Sequence, residues 1–320
     1  ALVKEGRTIL YITHKLEEVI TICNEVTIMR NGKVIDSCST SNQTAKTLAT
    51  KMLGEKLDEL KTDYTQVKNS INFSAKNISC SFNDPFFTDL KNVSFQVNVG
   101  EIFGIAGVAG NGQSELMDIL VGENTSLDSG ELVFNEKNIE LLNPQKRRDL
   151  SIAFVPENRL GHSAVPELTL NENILLSQFP NNNFSKKGIL NQNFIEQYAK
   201  KIIKDFNVVT PGSDAKASSL SGGNLQKFVI GREISSKPKL LIISHPTWGI
   251  DAGAEHSIRE SLIALSKNGT SIIVLSQDLD ELIEITHRIA VIFEGSLSKP
   301  FNTKEVDITQ LGLLMGGKNE

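Results

Sequence analysis

Cysteine is scarce in this chain. Cys23, Cys38 and Cys80 are odd in number and widely spaced, which fits reduced cytosolic thiols and excludes a CxxC metal or redox pair. His14, His162, His245, His256 and His287 share no ligand spacing with those thiols or with each other, so no zinc site is expected. No apolar run approaches the length that spans a bilayer, and no signal-peptide pattern opens the chain. Charge of one sign is also lacking: a formal net charge of -5 over 320 residues implies neither nucleic acid nor an anionic membrane as a partner. The Lys146-Arg147-Arg148, Lys186-Lys187 and Lys200-Lys201 clusters carry no interleaved aromatics and read as solvated faces. What is present is an ordinary apolar share, 39%, in a length that suggests at most two domains.

Two glycine-bearing stretches organise the chain. In Leu220-Ser221-Gly222-Gly223-Asn224 the glycines precede Leu225, Phe228 and Val229 at helical spacing. That places Ser221 and the free first-turn amides at a helix N-terminus, an anion-binding arrangement. Leu240 to Ile243 then reads as a buried parallel strand leading into Ser244-His245-Pro246-Thr247-Trp248-Gly249-Ile250-Asp251. Upstream, the strand 101–106 feeds Gly107-Val108-Ala109-Gly110-Asn111-Gly112-Gln113-Ser114 and an amphipathic helix. Gly107, Gly112 and Ser114 fit the spacing of a phosphate-binding P-loop, but Gln113 replaces its lysine. A dinucleotide-binding loop is the competing reading. It lacks the G-x-G-x-x-G order and an acidic residue ending a second strand.

The chain also repeats itself at constant spacing: Gly6 falls on Gly269, Leu16 on Leu279, Glu18 on Glu281, Gly32 on Gly295 and Gly54 on Gly317. This predicts a duplicated domain, with residues 1–55 the tail of a truncated first copy, 56–70 a polar linker and 71–317 a complete second copy. In the tail, a buried strand is expected over Thr8 to Ile12, a one-faced helix at Leu16, Val19, Ile20 and Cys23, a strand from Val26 to Met29 and an Asn31-Gly32 hairpin turn.

These strings resemble the signature motif, Walker B strand, D-loop and phosphate loop of the ATP-binding subunits of ABC transporters. Val155-Pro156-Glu157-Asn158-Arg159, Gly110-Asn111-Gly112-Gln113 and Ser221-Gly222-Gly223-Asn224 are similar to the second ATP-binding domain of simple-sugar and nucleoside importers. The resemblance implies an α/β P-loop NTPase fold of the ABC ATPase type, with an antiparallel β subdomain and an α-helical signature subdomain over Leu168 to about Val208. It also implies a nucleotide site. Phe82 stands at the adenine-stacking position, although a core phenylalanine reads equally well; Gly107, Gly110, Asn111, Gly112 and Gln113 at the phosphates; Ser114 at the magnesium; and Glu157 at the Q-loop. Ser221, Gly222, Gly223, Asn224 and Asp251 would face a partner domain's nucleotide.

The sequence departs from the family where phosphoryl transfer needs charge. Gln113 stands for the lysine, Ser244 for the metal carboxylate, His245 for the catalytic glutamate and Gln277 for the switch histidine, which the first copy keeps as His14. The resemblance therefore implies a largely non-hydrolysing half of a fused ATPase, with ATP and Mg2+ held weakly or not at all by this chain alone. Its partners would be a complete first ATP-binding domain, integral membrane permease subunits and, indirectly, an extracytoplasmic substrate-binding protein, with no nucleic acid. Its place would be the cytoplasmic face of the inner membrane. A soluble tandem ABC protein without a permease and a non-functional remnant are the alternatives.

Overall fold

A computed structural model describes residues 2–13, 15–30, 32–54, 67–178, 183–186 and 188–318. The chain divides into two compact units, Ala1–Glu59 with Asp251–His256, and Leu60–Ile250 with Ser257–Glu320.

In the first unit, α1 (Leu16–Ile22), the hairpin β1 (Glu25–Arg30) and β2 (Lys33–Ser39), and α2 (Ala45–Leu53) enclose a small core of Val19, Ile28 and Leu48. Gly32 has φ of 73° in the two-residue turn between the paired Arg30 and Lys33, the left-handed geometry that such a turn needs. Its neighbour Asn31 lies outside the described residues, as do His14 and most of the expected linker. The strand expected over Thr8 to Ile12 is irregular chain instead, with Leu10 and Ile12 each 88% exposed. An apolar run becomes a strand only where a neighbour completes its ladder, and in this unit β1 and β2 pair with each other.

The second unit begins with an antiparallel layer. β3 (Ile71–Cys80) pairs with β4 (Leu90–Asn98), and Asp84-Pro85-Phe86-Phe87 turns between them, closed by Phe87 N donating to the Asp84 carbonyl at 3.1 Å. β5 (Ile102–Ala106) opens the parallel sheet and α3 (Gln113–Val121) follows it; β6 (Ser129–Phe134) and β7 (Lys137–Asn138) return to the antiparallel layer, whose order is β4-β3-β6-β7. Next come α4 (Pro144–Asp149), β8 (Ile152–Val155) and α5 (Leu170–Gln178). The stretch expected to be helical from Leu168 to about Val208, apart from a loop at Asn181-Asn182-Asn183 whose first two residues lie outside the described ones, also holds a small hairpin, β9 (Ser185–Lys186) and β10 (Ile189–Leu190), before α6 (Gln192–Asp205).

The rest of the sheet is built by α7 (Gly222–Ser235), β11 (Leu240–Ser244), α8 (Ala252–Lys267), β12 (Ser271–Ser276), α9 (Leu279–Ile285), β13 (Arg288–Phe293), β14 (Ser296–Leu297), β15 (Phe301–Asn302) and α10 (Ile308–Met315). The spatial order is β14-β13-β5-β12-β11-β8, with β15 on β13; β13, β5, β12, β11 and β8 run parallel. Every residue of β5, β8, β11 and β12 is buried, as strands covered on both faces require. The spacing of the sequence repeat carries α1 onto α9, β1 onto β13 and the start of α2 onto the start of α10.

Buried cations tie the helices to this sheet. Arg147 is fully buried and donates to the Ile119 and Leu120 carbonyls near the end of α3, and to those of Leu142, Ile139 and Glu140. Gly122 makes room for it: a Cβ there would lie 2.7 Å from Arg147 Nε and 2.4 Å from the Leu142 carbonyl. The buried Glu233 of α7 accepts from Arg148 at 2.7 Å and Arg232 at 2.8 Å. These cations fix the far ends of α3 and α7. The near ends of both helices carry the two glycine-bearing stretches of the sequence.

Candidate nucleotide-facing site

The register of the parallel strands brings their carboxyl ends to one edge: Ser276 lies beside Ala106, and Ser244 beside Leu275. In open α/β sheets this edge is where ligands bind. The loop from Gly107 to Gly112 leaves β5 there and enters α3. Gly110 and Gly112 have φ of 82° and 104°, and a Cβ on Gly107 would sit 2.7 Å from Ile292 Cγ2, so the loop path depends on glycine. Asn111 fixes the loop's crest. Its side-chain amide donates to the Val108 carbonyl, its Oδ1 accepts from Glu294 N at 3.0 Å, and its carbonyl accepts from Gly295 N at 3.0 Å. Thr88 adds a tether from the antiparallel layer, its hydroxyl donating to the Gly110 carbonyl at 2.8 Å.

Gln113 folds back behind the start of the loop, its Cδ 3.2 Å from where a Cβ on Gly107 would stand. It is 6% exposed and its Nε2 donates to the carbonyls of Ile105, at 3.1 Å, and Ser276, at 3.2 Å. Two carbonyl acceptors fix which end of the amide points inward, because Oε1 in that place would meet two oxygens. Oε1 is left buried without a hydrogen-bond partner. Ser114 is exposed at the second position of α3. A magnesium site assembled from Ser114 and Ser244 offers hydroxyls where the hard dication takes carboxylates and phosphates. The donor set does not fit a resident metal.

At the end of β11, Ser244 and the following His245 are both buried. His245 adopts φ of 47°, its N–H extends the sheet ladder to the Leu275 carbonyl at 2.8 Å, and its ring centroid lies 5.4 Å from that of Trp248. Burial pushes the imidazole pKa below its ordinary value, against the opposing pull of Glu157 and Asp278. His245 is therefore neutral at pH 7, and brings no fixed charge to this edge. Gln277, in the switch position, is exposed.

Glu281 of α9 escaped the sequence reading. It is 1% exposed, and its two oxygens accept from the Thr247 and Ser276 hydroxyls, each at 2.7 Å. Burial pushes its pKa up, although both hydroxyls hold it down in part. One carboxylate thus fastens the segment after β11 to the end of β12. Glu281 was visible in the sequence only as one of the residues kept in both copies.

The signature turn is built as the sequence predicts. Ser221 caps α7, its Oγ accepting from Asn224 N at 3.5 Å and Asn224 Nδ2 at 2.9 Å. Asn224 Oδ1 in turn accepts from Val209 N at 2.9 Å. Ser221 and Gly222 are exposed, while Gly223 and Asn224 are half-buried. Asp251, in the segment grouped with the first unit, is exposed and accepts from Ala254 N at 3.0 Å. Phe82 is half-buried and stacks on Phe87, with ring centroids 5.5 Å apart and planes 16° from parallel. The half-buried Arg159 was missed as well; it donates to the Trp248 carbonyl and lies beside Gly222. Among the described residues no helix is long and apolar enough to cross a membrane.

Residues 90–248 match the ABC transporter family. Over nearly its whole length the chain is similar to the nucleoside import ATP-binding protein NupA of Lactococcus lactis, at 36% identity and 62% of that protein's length. It matches the guanosine import ATP-binding protein NupO of Bacillus subtilis at 37% identity, and the ribose import ATP-binding protein RbsA of the same organism at 35%, again over 62% of each. The chain thus spans about six tenths of the length of these curated relatives. Among solved structures, a dimeric ATP-binding cassette in a post-hydrolysis state bound to ADP and phosphate superposes with a TM-score of 0.64 at 22% identity, over 73% of this chain and all of its own. A nucleotide-free cassette from an ABC transporter gives 0.63, over 78% of this chain and all of its own. The fold is that of a P-loop ATP-binding cassette, and the chain carries an ABC ATPase domain related to those of sugar and nucleoside import ATP-binding proteins.

Proposed function

We propose that the chain is part of an ATP-binding component of an importer for simple sugars or nucleosides, and that its complete domain supplies a signature face to a composite ATP site. One contrast carries the reading. The Ser221 turn is intact and exposed, while at the domain's own phosphate loop the Gln113 amide is turned inward and the neighbouring Walker B positions are Ser244 and a neutral His245. Positioning and charge stabilisation make up nearly all of phosphoryl-transfer catalysis, so a domain without these charges contributes geometry and not hydrolysis. Nucleotide and Mg2+ at its own loop would be held weakly. The matching elements at constant spacing, α1 with α9 and β1 with β13, support reading residues 1–55 as the tail of a first domain, with His14 its γ-phosphate histidine. Permease subunits, a complete first domain and a substrate-binding protein would complete the system at the cytoplasmic face of the membrane. The isolated chain should release no phosphate from ATP. Steady release that follows the protein through purification and disappears in His245→Ala contradicts the proposal.

A further inference from the structure

The string Val155-Pro156-Glu157-Asn158-Arg159 runs from the last residue of β8 into the loop after it, and its sequence suggests a role for the glutamate alone. The arginine occupies a more telling place. Its Nη2 donates to the Trp248 carbonyl, and the guanidinium lies so close to the signature turn that a Cβ on Gly222 would fall 2.8 Å from Nη1. A Cβ on Gly249, whose φ is +65°, would fall 3.4 Å from Nη2. The guanidinium is thus seated between the first residue of α7 and the segment that follows β11, and glycine on both sides lets it approach.

That place is electrostatically unfavourable for a cation on its own. The N-terminus of a 14-residue helix carries the positive end of its dipole and unsatisfied amides. Arg159 adds a full positive charge there, half-buried, and among the described residues no carboxylate pairs with it. Burial pushes its pKa down from the ordinary arginine value, which is the mark of desolvation without a compensating anion. Two positive features facing one point become mutually stabilising when an anion lies between them, and a guanidinium fork matches phosphate oxygens.

We infer that Arg159 is the cation of the signature face: it contacts the terminal phosphate of a nucleoside triphosphate presented by a partner ATP-binding domain, beside Ser221 and the first-turn amides of α7. This rests on the reading that the face completes a partner's site. It goes further in placing a fixed charge there, on a side chain that comes from the loop after β8. Of the four positions where the domain's own catalytic edge departs from the family, none carries a positive charge at neutral pH, whereas Arg159 brings one beside Gly222 at the start of α7.

The single tryptophan, Trp248, is 59% exposed and its carbonyl accepts from Arg159, so its emission reports on this face. The experiment titrates the whole chain with inorganic tripolyphosphate and follows Trp248 fluorescence at low and high salt, in the wild type, Arg159→Gln, Arg159→Lys and Ser221→Glu. The expected result is a salt-sensitive response that weakens by about tenfold or more in Arg159→Gln, the size of a lost charge-assisted contact, and stays within about threefold in Arg159→Lys. Ser221→Glu should abolish it. A purely structural role in holding the Trp248 carbonyl would alter the emission of the free protein and leave the salt dependence of phosphate binding unchanged. A response lost in Ser221→Glu but kept in Arg159→Gln overturns the role of Arg159 and leaves the signature reading standing. A response indifferent to both, or no response in the wild type, removes the signature face as a phosphate site and the inference with it.

Discussion

Replacing Gln113 with lysine tests whether the loop from Gly107 to Ser114 remains a phosphate cradle. In the wild type two hydrogen bonds, to the Ile105 and Ser276 carbonyls at 3.1 and 3.2 Å, hold the amide on the ends of β5 and β12, each contributing about 1 kcal/mol net. Turning the amide out to a phosphate would break both, about 2 kcal/mol, and return one bond to an anionic acceptor, about 1.5–3 kcal/mol, so the native side chain adds nearly nothing to affinity. A lysine changes the balance, because its ammonium adds the attraction of a full positive charge to the phosphate. Part of that is offset, since the ammonium also finds the two carbonyls in the empty loop. Ser244 further withholds the carboxylate that magnesium would use. The expected gain is therefore about 1.4 kcal/mol, a tenfold tighter Kd. Calorimetric titration with Mg-ATP measures it directly, and Gln113→Ala provides the control, with affinity expected within about twofold of the wild type. Unchanged or weaker binding in Gln113→Lys, or a large loss in Gln113→Ala, would refute the reasoning.

Other expectations rest on single buried groups. Burial raises the Glu281 pKa above its ordinary value of 4.5, so the folded state keeps its proton to higher pH than the unfolded chain does. Its stabilising effect is complete below pH 4.5 and is lost as pH rises through the folded-state value. Glu281→Gln should remove this slope in a series of melting temperatures across that range, and an unchanged slope would assign the titration elsewhere. Arg147→Met should lower unfolding free energy by about 3–5 kcal/mol in urea melts, because it leaves the Ile119, Leu120 and Leu142 carbonyls without their buried donor; a loss under about 1 kcal/mol would mean that water replaces the guanidinium.

Much of the fold was legible because the signals were local. Leu240–Ser244 and Ile102–Ala106 are apolar throughout and became buried parallel strands, and the glycines of the phosphate loop and signature sit at helix starts as their spacing implies. Where the outcome depended on distant partners, the sequence was silent or misleading. Thr8 to Ile12 has a strand's composition, but a ladder requires a neighbour. The β9–β10 hairpin is two residues per strand, too short to register as a period. Gln113 was expected to offer a hydrogen bond to phosphate. Its direction was decided instead by the Ser276 carbonyl, 163 residues away. Glu281 and Arg159 acquire roles only through Thr247, Ser276, Trp248 and Gly222, contacts that no spacing rule encodes.

The central claim is that this domain completes a partner's ATP site and does no chemistry at its own. The most direct measurement is substrate uptake by the chain joined to a complete first domain and its permease, comparing Ser221→Arg with His245→Ala. Ser221→Arg places a long cation on the exposed cap of α7, and uptake should be abolished. His245→Ala alters a buried, neutral side chain in the other site, and turnover should stay within about tenfold, or about 1.4 kcal/mol in the barrier. Near-normal uptake with Ser221→Arg, or a collapse of turnover with His245→Ala in a protein that still folds, would contradict the account.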